Sequence, residues 1–324
     1  MELFTPKAYA AALVKDIERA KSRVILFSHI IGYDASTKKL IDALCDAAER
    51  GVQVEVASDI FTYSIMGGWK TTPLRPDRRI HALREMAKRL KQSGVKFDWI
   101  GQLGPILFAG RMHMKWCVID DKVFCFGGVN LYDEGLGYAD YMFGCRDAEL
   151  GNQIAKEHKR IMRASRLGKV HRSYQFSSLH GTVLVDGGKI GDSIIYRRAC
   201  ELARQAKDIT FVSQYCPTGK LGKIMQAKDV KLYFSHWSLA HGFNRLLIRA
   251  SMATTGYRTL YRRQTFIHAK CIIYTMSDGH KVVLTGTHNF VRAGVALGTR
   301  EIALETTDPH VISQLEGFLT KHIY

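Results

Sequence analysis

The chain has 324 residues, of which 46% are hydrophobic, and carries a formal net charge of +17 with a pI near 9.6. This length and composition exclude a disordered chain and fit two globular domains or one large duplicated unit. The charge predicts a basic surface facing an anionic partner, and charge alone does not distinguish phospholipid, nucleic acid and phosphorylated small molecules.

Helical and strand-like patterns alternate along the first hundred residues. Helical spacing occurs at 7–21, 36–50 and 77–92, and strand-like runs occur at 24–27, 52–56 and 95–100. This order predicts an α/β fold in which helices flank a mixed β-sheet. Residues 63–76 hold two glycines, two prolines and two aromatic residues, so they predict a long loop of a kind that is often functional.

The second half of the chain repeats this order. Residues 206–213, 229–232 and 256–259 echo residues 20–28, 51–54 and 94–97. Such a duplication predicts two similar lobes related by pseudo-twofold symmetry, each a mixed β-sheet flanked by helices. We place the first lobe at 1–155, a basic linker at 156–175 and the second lobe at 176–324. The linker is either a solvated helix end or an anion-facing surface.

Cysteine usage and hydropathy predict the compartment. The seven cysteines are an odd number without a CxxC pair, and Cys117, Cys125 and Cys271 fall in predicted strands. We therefore expect reduced thiols in a reducing compartment. Residues 1–6 lack the pattern of a signal peptide, and no apolar run approaches the roughly 18 residues of a spanning helix. We expect any contact with a membrane to be made from its surface.

Each half carries a His-x-Lys pair that is followed by an asparagine. The two sets are His113, Lys115 and Asn130 in the first half, and His268, Lys270 and Asn289 in the second. In a strand, the His and Lys of each pair point to the same face. A lysine ammonium offers a point charge to phosphate oxygens, and an imidazole titrates near neutral pH. A lone histidine is most often structural, but two matching sets in a duplicated chain predict one shared phosphate site.

The pattern H-x-K-x4-D-x6-G-G-x-N runs from His113 to Asn130 and is nearly repeated from His268 to Asn289. It resembles the duplicated signature of the phospholipase D superfamily, and the resemblance covers nearly the whole chain. Residues 16–59 and 300–302 are most similar to the cardiolipin synthase-like branch. The resemblance implies an enzyme in which one histidine forms a phosphohistidine, while the other protonates the leaving alkoxide and then activates the incoming alcohol or water.

The resemblance also implies roles for the other motif residues. The lysines and asparagines would stabilise the phosphoryl oxygens, and neither a metal nor a cofactor is implied. An acidic residue downstream of each motif would orient the histidine of that motif. By position these are Asp140 in the first half and Glu301 in the second. Three other acids compete with Asp140, namely Asp133, Glu134 and Asp147. We favour His113 as the nucleophile because its motif is intact.

The second motif departs from the pattern at one position. Thr275 stands where Asp120 stands in the first motif. Strand alternation places this position on the face opposite the histidine, so we interpret both residues as structural. Asp278 would replace the missing carboxylate only if its hairpin bent back.

We expect a phosphatidyltransferase of cardiolipin synthase type that acts on a phosphatidylglycerol-like phospholipid. The alternative is a phospholipase D-type phosphodiesterase that hydrolyses phospholipid or nucleic acid, which the net charge suits equally well. A non-catalytic anion-binding protein is a third reading, and the complete His/Lys/Asn sets argue against it.

The expected location is cytoplasmic, peripheral at the inner face of the membrane. There each nearby Lys or Arg adds about 1 kcal/mol of attraction to anionic lipid. Met66, Trp69 and Phe108 are candidates for side chains that dip into the interface. No oligomer is required, since both halves of the site lie in one chain.

Overall fold

Two seven-stranded mixed sheets, each with helices on its outer face, organise the chain in the computed structural model. The structure describes residues 1–67, 77–101 and 110–324. The predicted α/β class with two similar lobes is confirmed. No helix in these described ranges is long and apolar enough to cross a bilayer.

The first sheet has the strand order β1-β7-β6-β5-β2-β3-β4, in which β2, β3 and β4 are parallel. Its strands are β1 (Glu2–Phe4), β2 (Arg23–Ser28), β3 (Gln53–Asp59), β4 (Lys96–Ile100), β5 (Trp116–Ile119), β6 (Lys122–Cys125) and β7 (Met142–Arg146). Its helices are α1 (Pro6–Glu18), α2 (Lys38–Glu49), α3 (Thr62–Gly67), α4 (Arg78–Gln92), α5 (Asp133–Leu136) and α6 (Ala148–Arg166).

The second sheet has the order β11-β10-β12-β13-β14-β9-β8, in which β10 and β11 are parallel. Its strands are β8 (Tyr174–Ser178), β9 (Gly181–Gly187), β10 (Asp208–Ser213), β11 (Asp229–Phe234), β12 (Cys271–Thr275), β13 (Lys281–Gly286) and β14 (Arg300–Thr306). Its helices are α7 (Ile194–Gln205), α8 (Gly219–Gln226), α9 (Gly242–Thr255), α10 (Arg292–Ala296) and α11 (Pro309–His322), with a 3-10 turn at Trp237–Leu239.

The two sheets match through six strands, and they differ at their edges. The first lobe adds β4 beside β3, whereas the second lobe adds β8 at the opposite edge. The predicted strand at 256–259 is therefore wrong. Gly256 ends α9 with a left-handed φ of 71°, and the Thr259 hydroxyl accepts the N–H of Phe234 at 3.0 Å. The Thr259 side chain thus accepts a backbone N–H that would otherwise donate to a neighbouring strand. The segment runs beside β11 without extending the sheet.

The main core lies between the two sheets. Trp116 and Val118 of β5 point into this core, while the alternating Cys117 and Ile119 point toward the helices of the first lobe. Strand β12 alternates in the same way, with Cys271 facing the core between the lobes. Burial of each large apolar side chain stabilises the fold by roughly 1.5–3 kcal/mol. Each sheet therefore buries one face against helices of its own lobe and the other in the core between the lobes, to which helices α6 and α11 also contribute.

Three other sequence predictions meet the structure here. The seven cysteines are all free, and Cys117, Cys125 and Cys271 are buried in strands as predicted. The predicted loop at 63–76 begins as helix α3, in which Met66 is buried and so is unavailable to a membrane interface. Residues 68–76, Trp69 and Phe108 lie outside the described residues.

The predicted division into domains stays a prediction. The boundary at 155 falls inside α6 and the boundary at 176 falls inside β8. The half of α6 assigned to the basic linker buries Ile161 and Met162 in the core between the lobes. Basic residues occupy the other side of this helix, so its positive charge and its core packing coexist.

Candidate active site

The two motif segments meet at the junction of the lobes. His113 and Lys115 lie in an extended segment that precedes β5, and not in the strand itself as predicted. This segment leaves its own sheet to pair with the other lobe, because the His113 N–H donates to the Arg300 carbonyl at 3.0 Å. Likewise, the His268 N–H donates across the junction to the Ala139 carbonyl at 3.0 Å. Each histidine is thus held by the backbone of the opposite lobe.

Each histidine is also paired with a carboxylate of the opposite lobe. His113 Nδ1–H donates to Glu301 Oε2 at 2.9 Å, and His268 Nδ1–H donates to Asp140 Oδ2 at 2.7 Å. The expectation that each acid orients the histidine of its own half is therefore wrong. The reason is the backbone pairing across the junction, which brings the start of β14 beside His113. Asp133, Glu134 and Asp147 have other contacts, which leaves Asp140 beside His268.

The two carboxylates are supported differently in the two lobes. Asp140 accepts the N–H of Tyr141 at 2.8 Å, and its carboxylate packs against the backbone of Gly128. A Cβ added at Gly128 would lie 2.7 Å from Asp140 Oδ2, so only glycine fits there without displacement. Glu301 instead accepts a hydrogen bond from the hydroxyl of Thr287. Thr287 occupies the motif position that corresponds to Gly128.

Lys115 and Lys270 bring two ammonium groups into the same buried site. Lys115 Nζ donates to the His113 carbonyl at 2.8 Å, and Lys270 Nζ donates to the His268 carbonyl. Burial, and then the charge of Lys270, lowers the pKa of Lys115 to about 7. Burial lowers the pKa of Lys270 to about 8, while Asp140 and Glu301 oppose that shift. Two like charges buried side by side repel each other, so a bound anion would stabilise both.

The same environment keeps both imidazoles neutral. Burial, followed by the charges of Lys115 and Lys270, lowers the pKa of His113 well below its usual range. Burial and Lys270 lower the pKa of His268 to about 4, although the hydrogen bond to Asp140 opposes this shift. Since Nδ1 carries the proton in each ring, Nε2 keeps its lone pair. Each ring is therefore prepared to act as a nucleophile or a base.

Two asparagines complete the set. Asn130 follows β6 and is buried, and Asn289 follows β13 and is half-buried. The side-chain Oδ1 atoms of both are buried without a hydrogen-bond partner among the described residues. A buried acceptor without a partner costs about 1–3 kcal/mol, so each of these oxygens is typical of a site whose ligand donates a hydrogen bond, such as a hydroxyl group.

Two further histidines of the site could not be assigned from the repeat. The ring of His29 lies 4.8 Å from that of His113 at an angle of 71°, and its Nδ1–H donates to the Met112 carbonyl at 3.0 Å. His288 accepts the N–H of Phe290 on Nδ1 at 2.7 Å, so Nε2 carries its proton. Burial lowers the pKa of both. The residue that corresponds to His29 in the second half is Gln214, and the residue that corresponds to His288 in the first half is Val129. Comparison of the two halves therefore did not reveal these histidines, although His288 lies inside the second motif.

A buried ion pair fixes the backbone just before His113. Asp59 at the end of β3 accepts Arg111 Nη1 at 2.8 Å and the Met112 N–H at 2.7 Å. Burial raises the pKa of Asp59 to about 6, although Arg111 and the hydrogen bonds oppose the shift. This pair therefore restrains the two residues that precede His113.

Asp120 and Thr275 lie at the other end of their strands from the histidines. Asp120 has a left-handed φ of 52°, and its carboxylate accepts the N–H groups of residues 21–23, including Ser22 at 2.9 Å. Burial alone would raise its pKa, but a hydrogen bond from the Ser22 hydroxyl, together with these N–H groups, lowers it to about 2. The Thr275 carbonyl accepts the Lys207 N–H at 2.8 Å, the corresponding contact of the second lobe. Asp278 is exposed and bonds to His280, so it does not replace Asp120.

Among the described residues, no group of three or more His, Cys, Asp or Glu side chains is arranged to hold a metal ion. The groups that converge on the site are instead four imidazoles, two ammonium groups, two amides and two carboxylates. They combine nucleophiles, proton carriers and anion-binding groups in one place.

Comparison with known proteins gives a sequence match over the first half of the chain. Residues 13–162 match the family described as the PLD-like domain of cardiolipin synthase. The cardiolipin synthase of Geobacillus thermodenitrificans is 31% identical over 141 residues, which is 43% of this chain and 26% of that protein. The major cardiolipin synthase ClsA of Bacillus subtilis is 32% identical over 150 residues, which is 45% of this chain and 28% of that protein. The chain thus aligns with about a quarter of the length of these relatives.

Comparison of folds extends over both lobes. A phosphatidylserine synthase from Haemophilus influenzae has a TM-score of 0.77 at 14% identity, covering 100% of this chain and 86% of that one. A polyphosphate kinase from Porphyromonas gingivalis has a TM-score of 0.62 at 12% identity, covering 97% of this chain and 45% of that one. At such identities the likeness concerns the fold.

Proposed function

We propose that this chain is a member of the phospholipase D superfamily and a phosphatidyltransferase of the cardiolipin synthase type. The observation that carries the proposal is the pair of crossed hydrogen bonds, from His113 to Glu301 and from His268 to Asp140. They fix two imidazoles in one site with the same tautomer, and two such rings can divide the roles of nucleophile and proton carrier. The match of residues 13–162 to a cardiolipin synthase domain supports the lipid branch.

The first half-reaction forms a covalent intermediate. Neutral His113 attacks the phosphorus of phosphatidylglycerol through Nε2, and the P–O bond to the glycerol headgroup breaks. His268 gives its Nε2 proton to the leaving alkoxide, so free glycerol departs. His268 acquires this proton when substrate binds, because the negative phosphodiester raises the pKa of a neighbouring imidazole and Asp140 stabilises the imidazolium.

The second half-reaction transfers the phosphatidyl group. The hydroxyl of a second phosphatidylglycerol gives its proton to Nε2 of His268, and its oxygen attacks the phosphorus. The P–N bond to His113 breaks, so cardiolipin forms and His268 again carries the proton that it held with the first substrate bound. The histidines return to their starting state without net proton change. If water enters instead of the alcohol, the same residues produce phosphatidic acid.

The lysines and asparagines hold the phosphoryl group through both steps. Lys115 and Lys270 each keep an ammonium beside a histidine by donating to that histidine's carbonyl. Asn130 and Asn289 supply amides to the same region. These groups are preorganised in a buried site, so they stabilise charge as it shifts during the reaction without first having to reorganise. Asp120 and Thr275 form hydrogen bonds at the ends of their strands and take no part in this chemistry.

We further propose that the partner is an anionic, phosphatidylglycerol-like phospholipid at the inner face of a membrane. The net charge of +17 supports an anionic partner. The same charge favours one alternative, hydrolysis of a phospholipid or a nucleic acid by the same residues, because a phosphodiester of either kind would fit the two ammonium groups.

The test is turnover by the purified protein in the presence of a chelator. Phosphatidylglycerol vesicles and short oligonucleotides are offered separately to the wild type, His113→Ala and His280→Ala. His280 is an exposed hairpin residue and serves as a matched control. We expect cardiolipin and glycerol in equal amounts, with a loss of at least about 10³-fold in His113→Ala only. Phosphatidic acid without cardiolipin would indicate a hydrolase, and cleavage of the oligonucleotide alone would indicate a nuclease. Turnover of neither would contradict the proposal.

A further inference from the structure

Helix α9 and the 3-10 turn at Trp237–Leu239 form an unusually exposed part of the second lobe. Among the described side chains of α9, only Ile248 is buried. Leu246 is 61% exposed, and Ala250 and Ala253 follow it at helical spacing on the same exposed side. Together with the two exposed alanines, Leu246 gives this side of the helix an apolar strip that faces solvent, and contiguous exposed apolar surface is a feature of interaction sites.

Two arginines border this apolar strip. Arg245 and Arg249 are exposed, lie one helical turn apart and stack on Trp237, with their guanidinium carbons 4.9 Å and 5.7 Å from the ring centroid. Within the described residues neither has an acidic partner. The sequence contains no Asp or Glu between Asp229 and Asp278 but has seven Lys and Arg there, of which Lys270 is buried in the candidate active site and not at this surface. The surface therefore combines positive charge with exposed apolar groups.

This surface lies at the edge of the sheet that carries the active site. Strands β10 and β11 run parallel, and their last residues lie at the same end of the sheet as the first residue of β12, which follows the His268 segment. Just after β10, Gln214 donates to the Tyr215 hydroxyl at 2.9 Å, and that hydroxyl donates to Asn244 of α9 at 2.7 Å. The first turn of α9 is therefore hydrogen-bonded to the residues that flank the site.

We propose that the α9 surface, defined as Trp237, Arg245, Leu246, Arg249 and Ala250, seats the protein on an anionic phospholipid bilayer. The arginines would bind headgroup phosphates, and Leu246 would enter the boundary of the acyl chains. This inference rests on the proposed function and adds the surface through which a lipid substrate is reached. A nucleic acid backbone would use the arginines but would leave Leu246 exposed, so a bilayer is the better match.

The test is sedimentation with vesicles of phosphatidylglycerol and, separately, phosphatidylcholine. The variants are Leu246→Glu and the double variant Arg245→Glu/Arg249→Glu. Each has a matched control. Leu179→Glu alters a side chain that is 84% exposed beside β8, at the opposite edge of the sheet. Lys15→Glu/Arg19→Glu reverses two exposed charges with the same spacing at the end of α1.

We expect both α9 variants to lose at least about tenfold in binding to phosphatidylglycerol vesicles, while both controls stay within about twofold of the wild type. Turnover of a short-chain phosphatidylglycerol below its critical micelle concentration should be unchanged in the α9 variants, because the catalytic groups are untouched. If the wild type binds vesicles through α9 but turns over no lipid, the proposed function fails while the docking surface stands. Vesicle binding by the α9 variants equal to that of the wild type would overturn the inference. So would a loss confined to oligonucleotide binding.

Discussion

Lys115 and Lys270 are the residues at which the proposed function opposes stability most directly. At pH values below about 7, Lys115 carries its charge in both the folded and the unfolded state, so the folded state bears the full cost of burying that charge. Its pKa is about 7 in the fold against an ordinary value of 10.5, so the folded state releases the proton first as pH rises. The cost therefore declines between these two values.

Replacing Lys115 by methionine should remove that cost. At pH 6 we expect Lys115→Met to raise the free energy of unfolding by about 1–4 kcal/mol and to abolish activity. The gain should shrink by pH 9, where Lys115 is already neutral in the folded protein. Urea denaturation at both pH values measures this. Lys122→Met is the control for the loss of a lysine as such. Lys122 pairs with Asp16 at 2.6 Å, so this variant should be less stable than the wild type. A Lys115→Met variant destabilised equally at both pH values would contradict the account.

A second prediction follows from the pairing of each histidine with a carboxylate of the opposite lobe. Glu301→Gln should perturb the ring resonances of His113, and Asp140→Asn should perturb those of His268, because each amide no longer fixes the Nδ1–H tautomer. Activity should fall by about 10²–10⁴-fold in each variant. Nuclear magnetic resonance of protein with ¹⁵N-labelled histidine distinguishes the pairings. Perturbation of His268 by Glu301→Gln would instead indicate pairing within each half.

The repeat in the sequence was sufficient to single out the six His, Lys and Asn residues that the structure brings together, because each half of the chain carries the same set. It could not predict the crossing, which depends on the backbone pairing between His113 and Arg300 across the lobes. It also missed His29, since the corresponding residue of the second lobe is Gln214. Comparison of the two halves can identify residues that both halves contain, but not a residue that only one half contains.

At the scale of elements, the turn at Gly127–Gly128 joins β6 to Asn130 of the candidate active site. We expect Gly128→Ala to lower kcat/KM by about 10²-fold, because its Cβ would displace Asp140 and with it His268. Gly137→Ala is the matched control. A Cβ there would lie 3.3 Å from its nearest neighbour, the Glu134 carbonyl, so we expect activity within a few-fold of the wild type. Equal activity in both variants would show that the turn does not position Asp140.

Elements were predictable where a local pattern decides them. The helices at α1, α2 and α4 and the strands β2 and β3 follow hydrophobic spacing that the sequence displays. The segment at 256–259 was misassigned because the Thr259 hydroxyl, and not a backbone carbonyl, accepts the backbone N–H of Phe234. Such a competition is settled by tertiary contacts, which spacing does not encode.

For the whole molecule, the core between the sheets implies that the lobes fold together. Helix α11 of the second lobe also holds the N-terminus, since Gln314 donates to the Met1 carbonyl at 2.7 Å and accepts the Leu3 N–H at 2.8 Å. We expect one cooperative transition in calorimetry, with equal calorimetric and van't Hoff enthalpies. Inorganic phosphate should raise the midpoint without splitting the transition. Two resolved transitions would contradict a shared core.

The most direct test of the central claim is to trap the covalent intermediate. A phosphatidyl p-nitrophenyl ester carries a leaving group that needs no protonation, so it separates the roles of the two histidines. With His268→Ala we expect a burst of about one p-nitrophenolate per chain and a phosphatidyl label on His113, because bond breaking proceeds while the acceptor is not activated. His113→Ala should give neither a burst nor a label. A label on His268 in His113→Ala, or the absence of a burst in His268→Ala, would contradict the assignment of roles.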